Sequence, residues 1–359
     1  MNTQKNNLDF KNQNIYVGFD VHKKSWSVTI MTEHLTHKTF SQPPKPEILY
    51  QYLLKNFPGG NYFTAYEAGF CGYWIHNRLN ELGVNSIVVN PADVPTTGYE
   101  RDQKNDPVDS RKIARSLRNG DLRAIYVPPM KTLEDRTLVR TRATLVKDIT
   151  RYKNRIKAFI NFHGVEVPDS FLKNSTHWSK RFMDWLNSLE MKEKSGKESL
   201  QAILKAVNEL RAIQLDITKK IRVLSKTEPY QKNVELLMTI PGIGLIVSMI
   251  LLTEIGDIER FSKIDQFCKF VGFVPSMHDS GEKEASGSIT KRGHSILRTT
   301  IIESAWAAAR LDPALSKCYN EYCRRMKPNE AITRIGKKLL KRINYVLKNQ
   351  KPYVHSVVK

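Results

Sequence analysis

Residues 14–41 read NIYVGFDVHKKSWSVTIMTEHLTHKTFS, and their patterning decides the fold of the first third of the chain. Ile15–Val21 is a near-continuous apolar run, as in a strand buried on both faces. Ser25–Thr32 alternates with period two, and Leu35–Ser41 has the same character. Short turns separate the three, so they should pair as an antiparallel meander. Working outward, the pattern predicts a helix near Pro46–Asn56, a strand at Tyr62–Tyr66 and a helix at Tyr73–Leu82 ended by Gly83. A strand at Ser86–Val89 and a basic helix from Pro107 to Arg118, with Gly120 just past its end, complete the series.

Three antiparallel strands followed by alternating helices and strands is the order of a ribonuclease-H-like α/β domain, although other mixed sheets share it. From about residue 131 to 228 strand signals vanish. Leu145, Ile149, Tyr152, Ile156 and Phe159 keep 4-3-4-3 spacing, and Leu200, Ile203, Val207 and Leu210 repeat it. Two long helices in a coiled-coil-like arm would give this stripe; so would the inner face of a single-chain bundle. Residues 231–326 read as a second compact region, mostly helical, with a Gly/Ser-rich loop at 280–288. The expected class is therefore α/β plus α, in four parts. These are a ribonuclease-H-like domain (1–129), a helical coiled-coil arm (130–230), a helical domain with a helix-hairpin-helix (231–326) and a basic amphipathic tail (327–359) with a helix expected over Ala331–Leu347.

The chain has 359 residues and a formal charge of +21, unevenly distributed. Residues 1–100 balance eight basic against eight acidic side chains. Residues 101–160 hold sixteen against seven, and residues 321–359 eleven against two. Two short stretches thus carry most of the excess. Acidic partners or an anionic membrane would attract such charge, but clustering in stripes favours nucleic acid. The four cysteines form no CxxC pair and read as reduced thiols. The longest apolar run, Leu245 to Leu252, is too short to span a bilayer, so a soluble, cytoplasmic protein with no membrane partner is expected.

Asp20 ends a buried strand, where a lone carboxylate is costly unless a cation or hydrogen bonds compensate. Glu67 ends the strand Tyr62–Tyr66; by itself it reads as a loop residue. Asp106-Pro107-Val108-Asp109 makes a good helix start, with Asp106 as N-cap. Its surroundings are basic, with Arg111, Lys112, Arg115 and Arg118 following. In a ribonuclease-H-like sheet the first and fourth strands are neighbours and the last helix crosses them. Asp20, Glu67, Asp106 and Asp109 would then converge, and four hard oxygen donors select Mg²⁺ or Mn²⁺ over zinc. Two such ions about 4 Å apart can serve phosphodiester chemistry.

In the second half, Ile240-Pro241-Gly242-Ile243-Gly244 lies between apolar helical stretches. It reads equally as a phosphate-holding helix-hairpin-helix, through Gly242 and Gly244, or as a simple turn between packed helices. Ser280 beside Gly281, followed by Lys291, Arg292, His294 and Arg298, could be a nucleophile beside a phosphate clamp, with His294 a conceivable base. Flexible-loop serines are the plainer reading.

Together the blocks YVGFDVHKKSW, AYEAGFCGYW, KNDPVDSRKIARSL, TIPGIGLIVSMILL, FVGFVP and SGEKEASGSITKRGHSILR resemble the DEDD-type insertion-sequence transposases. These are relatives of the pilin-gene invertases and include the bridge-RNA-guided recombinases. The resemblance covers roughly residues 14–128 and 234–310. It implies that Asp20, Glu67 and the pair Asp106 and Asp109 are the family's acids, and that Ser280 attacks DNA to give a phosphoserine link, with Ser286 the alternative within the loop. It also implies Mg²⁺, double-stranded donor and target DNA, a structured guide RNA, and homodimers assembling into a homotetramer. The rival readings are a metal-dependent nuclease or Holliday-junction resolvase, in which water attacks, and a non-enzymatic nucleic-acid-binding protein.

Overall fold

The computed structural model describes residues 9–98, 100, 105–280, 283–289 and 293–354; of residue 174 and residues 275–289 it describes the backbone alone. The chain forms two compact units, Met1–Val127 and Pro128–Lys359.

The first unit holds a five-stranded sheet. Its strands are β1 (Asn14–Val21), β2 (Trp26–Met31), β3 (Thr36–Gln42), β4 (Asn61–Glu67) and β5 (Asn85–Val89), in the spatial order β3-β2-β1-β4-β5. The meander β1–β2–β3 is antiparallel, while β4 runs parallel to both β1 and β5. Two helices, α1 (Pro46–Asn56) and α2 (Trp74–Glu81), connect the later strands. Ile15, Val17 and Phe19 of β1 alternate toward a core shared with Leu49, Leu53, Ile75 and Leu79 of these helices.

The opposite face of β1 takes α3 (Asp106–Arg118). Gly18 permits this. A Cβ there would stand 2.5 Å from the Ser110 carbonyl oxygen and 2.7 Å from the Ala114 Cα. Ser110, fully buried, fixes the helix to β2 through hydroxyl contacts of 2.9 Å with Thr29 and 3.2 Å with Ser27. Backbone cannot yield as a flexible side chain can, so Gly18→Ala should destabilise the protein by about 3 kcal/mol, the upper end for overpacking. A urea midpoint within error of wild type would show that α3 is not seated as described.

The second unit is almost all helix. Helix α4 (Met130–Phe162) packs along α6 (Lys194–Leu224), with the short α5 (Lys180–Ser188) at one end. Ile156 and Ile160 near the end of α4 meet Leu200, Leu204 and Val207 near the start of α6, and Phe182 and Leu186 of α5 close this small core. Val139, near the start of α4, lies in one cluster with Ile221, near the end of α6, so the two helices run antiparallel. Thirty-three residues at 1.5 Å each make α4 about 50 Å long. Of the expected 4-3 stripe, Ile156, Leu200 and Val207 lie in this small core, with Tyr152, Phe159 and Ile203 packed against it.

A larger core gathers α7 (Gln231–Met238), α8 (Leu245–Ile255), α9 (Ile264–Val271), α10 (Ser295–Leu311), α11 (Pro313–Cys323) and α12 (Pro328–Asn349). Helix α12 covers the stretch read as a basic tail. It buries Ile332, Ile335, Leu339, Leu340, Ile343 and Val346, so it is a core helix of this unit rather than an appendage. Between α9 and α10 runs a two-stranded hairpin, β6 (Pro275–Ser280) and β7 (Lys283–Ile289). Among the described residues, no helix is long and apolar enough to cross a membrane.

Candidate active site

The sheet brings two acids to one edge. β1 and β4 are paired in parallel with Gly18 opposite Ala65. Asp20 and Glu67, two residues further along each strand, therefore end neighbouring strands on the face that α3 covers. The helix begins over that edge. Its N-cap is Asn105, whose side chain accepts from the Val108 amide at 3.0 Å, and not Asp106 as the sequence reading has it. The shift of one residue leaves the Asp106 carboxylate available to the sheet edge. Asp109, one turn on, follows it.

An imidazole and an ammonium sit among these four carboxylates. His22 Nε2 is 3.1 Å from Asp20 Oδ2 and 3.3 Å from Asp106 Oδ1. Lys112 Nζ is 3.1 Å from Asp109 Oδ1 and 3.4 Å from Glu67 Oε1. Burial pushes the Asp20 carboxyl above its ordinary pKa; His22 opposes this, and the charges of Asp106 and Asp109 add to it. Burial alone would lower the Lys112 ammonium, but Asp109 and Glu67 outweigh it and hold the group raised. Such a centre is short of positive charge and favours a bound cation.

The sequence reading missed both roles. It places Lys112 on a phosphate-facing stripe with Arg111, Arg115 and Arg118, yet Lys112 is only 7% exposed and points into the acids. The usable signals were His22 two residues beyond Asp20, hence on the same face of an extended chain, and Lys112 at i+3 from Asp109. Arg115 is likewise engaged, donating to both oxygens of Glu100 at 2.8 and 3.1 Å. That pairing holds the Glu100 carboxyl down to about 2. Of the four basic residues, only Arg111 is exposed, and Arg118 is half-buried.

Ser280 belongs to the second unit, where it ends β6 with its backbone opposite Lys283. Ser286 lies on β7 opposite Met277. The stretch read as a flexible loop is therefore an antiparallel hairpin in its backbone. Lys291 and Arg292 lie outside the described residues, while Arg298 is half-buried in the first turn of α10. His294 cannot serve as the base for a serine as placed. Its Nδ1 accepts from the Leu297 amide at 3.4 Å as N-cap of α10, and its Nε2 lies 3.1 Å from Glu254 Oε2.

Glu254 is a buried charge of this unit, with a side chain 0% exposed. Arg140 grips it with two hydrogen bonds of 2.6 and 2.7 Å, and Arg136 approaches to 3.5 Å. The turn between α7 and α8 is packed closely at Gly242. A Cβ there would fall 2.5 Å from the Ser304 carbonyl, so this glycine is packed against α10. Gly244 is exposed at the start of α8.

Residues 17–164 match a family model for transposases of the DEDD, IS110 type, and residues 234–320 match the family described as Transposase IS116/IS110/IS902 family. The chain belongs to the DEDD-type insertion-sequence transposases. It is 29% identical to putative transposase y4qE of Sinorhizobium fredii (strain NBRC 101917 / NGR234) over 71% of this chain and 60% of that protein. It is 25% identical to the transposase for insertion sequence element IS1533 of Leptospira borgpetersenii, over 81% of this chain and 84% of that one. The transposase for IS1111A of Coxiella burnetii (strain RSA 493 / Nine Mile phase I) is 26% identical over 67% and 64% of the two chains. In this transposase all four acids fall in the first matched block and Ser280 in the second. Helix α12 lies beyond both blocks.

Proposed function

We propose that this transposase cuts and rejoins double-stranded DNA, with Mg²⁺ held by Asp20, Glu67, Asp106 and Asp109 and with Ser280 as nucleophile. The observation that supports the proposal is the meeting of four carboxylates around His22 and Lys112 at one sheet edge, within a block that matches DEDD transposases. The donor set fits the ion. Asp20, His22 and Asp106 can each offer a ligand atom within 4.8 Å of the others, and hard oxygens suit Mg²⁺ or Mn²⁺. When bound, the ion would stabilise charge on the oxygens attacking and leaving phosphorus.

The protein's own groups divide the remaining work. Lys112 holds Glu67 and Asp109 in place, and Arg111, exposed beyond them on α3, meets backbone phosphate. Ser280 Oγ attacks phosphorus: an Oγ–P bond forms and a P–O bond to one sugar breaks. The serine proton passes through solvent to the departing sugar oxygen, leaving a phosphoserine and a new hydroxyl. In rejoining, a hydroxyl of the exchange strand attacks that phosphoserine and the serine is restored. Every step exchanges one phosphodiester for another, so no external energy source is required. Recognition of donor and target by a structured guide RNA, and assembly of homodimers into a tetramer, belong to the same proposal. They are supported by the resemblance to RNA-guided relatives and by the excess positive charge.

The test incubates protein with donor DNA, target DNA and RNA transcribed from the element's non-coding end, then separates the products on a denaturing gel. A protein–DNA adduct that disappears in Ser280→Ala is expected, with Ser286→Ala retaining it. Cleaved DNA with no adduct would replace this mechanism by water attack, and binding with neither product would leave a nucleic-acid-binding protein.

A further inference from the structure

The two halves of the carboxylate centre differ in kind. On one side, His22 lies between Asp20 and Asp106 in the open: the side chains of His22 and Asp106 are 50% and 57% exposed. An ion from solvent can enter there, and the imidazole can move aside or become a ligand itself. On the other side, Lys112 lies between Glu67 and Asp109 with a side chain only 9% exposed, so its ammonium is already enclosed by its two partners. Helix α3 cannot carry it away. The helix backbone rests on Gly18, and Ser110 bonds it to β2.

A divalent ion placed between Glu67 and Asp109 would lie against the ammonium of a side chain only 9% exposed. Like charges at such separation repel strongly where water is excluded. Total charge points the same way. One divalent ion together with Lys112 leaves the four carboxylates slightly anionic, whereas two ions and the ammonium would reverse the sign of the centre.

Resting on the metal reading above, we propose that this transposase binds a single divalent cation, between Asp20 and Asp106, and that Lys112 fills the place of a second between Glu67 and Asp109. Lys112 is then a positioning residue. It holds two of the acids in their working orientation without an ion and neutralises them in part.

The test counts ions on the full-length protein, with Mn²⁺ alone as the probe, by electron paramagnetic resonance of unbound and bound Mn²⁺. Wild type should bind one tight equivalent per chain, with no magnetic coupling between ions. Lys112→Met should bind two, with the dipolar broadening of a close pair, and Lys112→Arg should return to one. Asp20→Asn should weaken the single wild-type site at least about tenfold. Two coupled ions in wild type, or one in Lys112→Met, would overturn the proposal while leaving the metal centre itself in place. No bound Mn²⁺ at millimolar concentration would remove both. If Lys112→Met does not fold, the wild-type count and spectrum decide alone.

Discussion

Asp20→Asn should reduce DNA cutting by about a thousandfold or more, the scale seen when a group acting on transition-state charge is removed, and at the same time raise the melting temperature of the protein. The first effect follows from position: Asp20 is the half-buried acid within reach of both His22 and Asp106. The second follows from charge. Burial and the nearby Asp106 and Asp109 push the Asp20 carboxyl upward, so its ionised form works against folding at neutral pH. Asparagine keeps the shape and a hydrogen bond to His22 while removing the repulsion. Mg²⁺ should then stabilise wild type and not the variant, because only a ligand that binds the native state shifts its stability. Single-turnover cleavage and thermal melts with and without Mg²⁺ measure all three. A variant that cuts normally, or one that Mg²⁺ still stabilises, would remove Asp20 from the centre.

Glu254→Ala should destabilise the second unit by about 3 to 5 kcal/mol, the range for breaking one side of a buried ion pair. The carboxylate is fully buried among Arg140, Arg136 and His294. Its removal leaves the two guanidinium groups facing each other with no anion between them. Burial alone would raise the Glu254 pKa, but hydrogen bonds from Arg140 and His294 prevail and hold it at about 2, against 4.5 in an unfolded chain. The sign follows from linkage. A depressed carboxyl stabilises the fold above pH 4.5, and that contribution is lost as pH falls toward 2. A shift of this size is worth about 3 kcal/mol. Urea midpoints between pH 5 and pH 2.5 should therefore fall more steeply in wild type than in Glu254→Gln. Parallel curves would mean that the pairing contributes nothing to folding.

How much of this was legible beforehand depended on the kind of signal. The meander and the strands after it were readable because β1 carries a near-continuous apolar run and β2 a period-two alternation bounded by turns, although β2 is in fact buried along its whole length. The four acids were readable as a set because strand ends and a helix start are sites that sequence marks. The imidazole and the ammonium among them were not. Lys112 looks like any member of a basic stripe until Gly18 is seen to let α3 down onto the sheet, which turns that face inward. Arg115 is removed from the stripe by Glu100, fifteen residues away. The hairpin at 275–289 escaped because its glycines and serines carry turn signals while its strands carry little apolar alternation. The helix expected over Ala331–Leu347 is α12, and its amphipathic spacing was readable; what its lysines and arginines hid is that its apolar stripe joins the core of the second unit.

The start of α3 assigns two duties to two adjacent residues. Asn105 closes the helix, and Asp106 beside it keeps its Oδ1 3.3 Å from His22 Nε2. Folding and reactivity can therefore vary separately at this spot: a poorer cap at residue 105 lowers stability by about 1 kcal/mol and spares the reaction, whereas a change at residue 106 strikes the reaction and spares the cap. Had one aspartate done both, no mutation could have adjusted either property without disturbing the other.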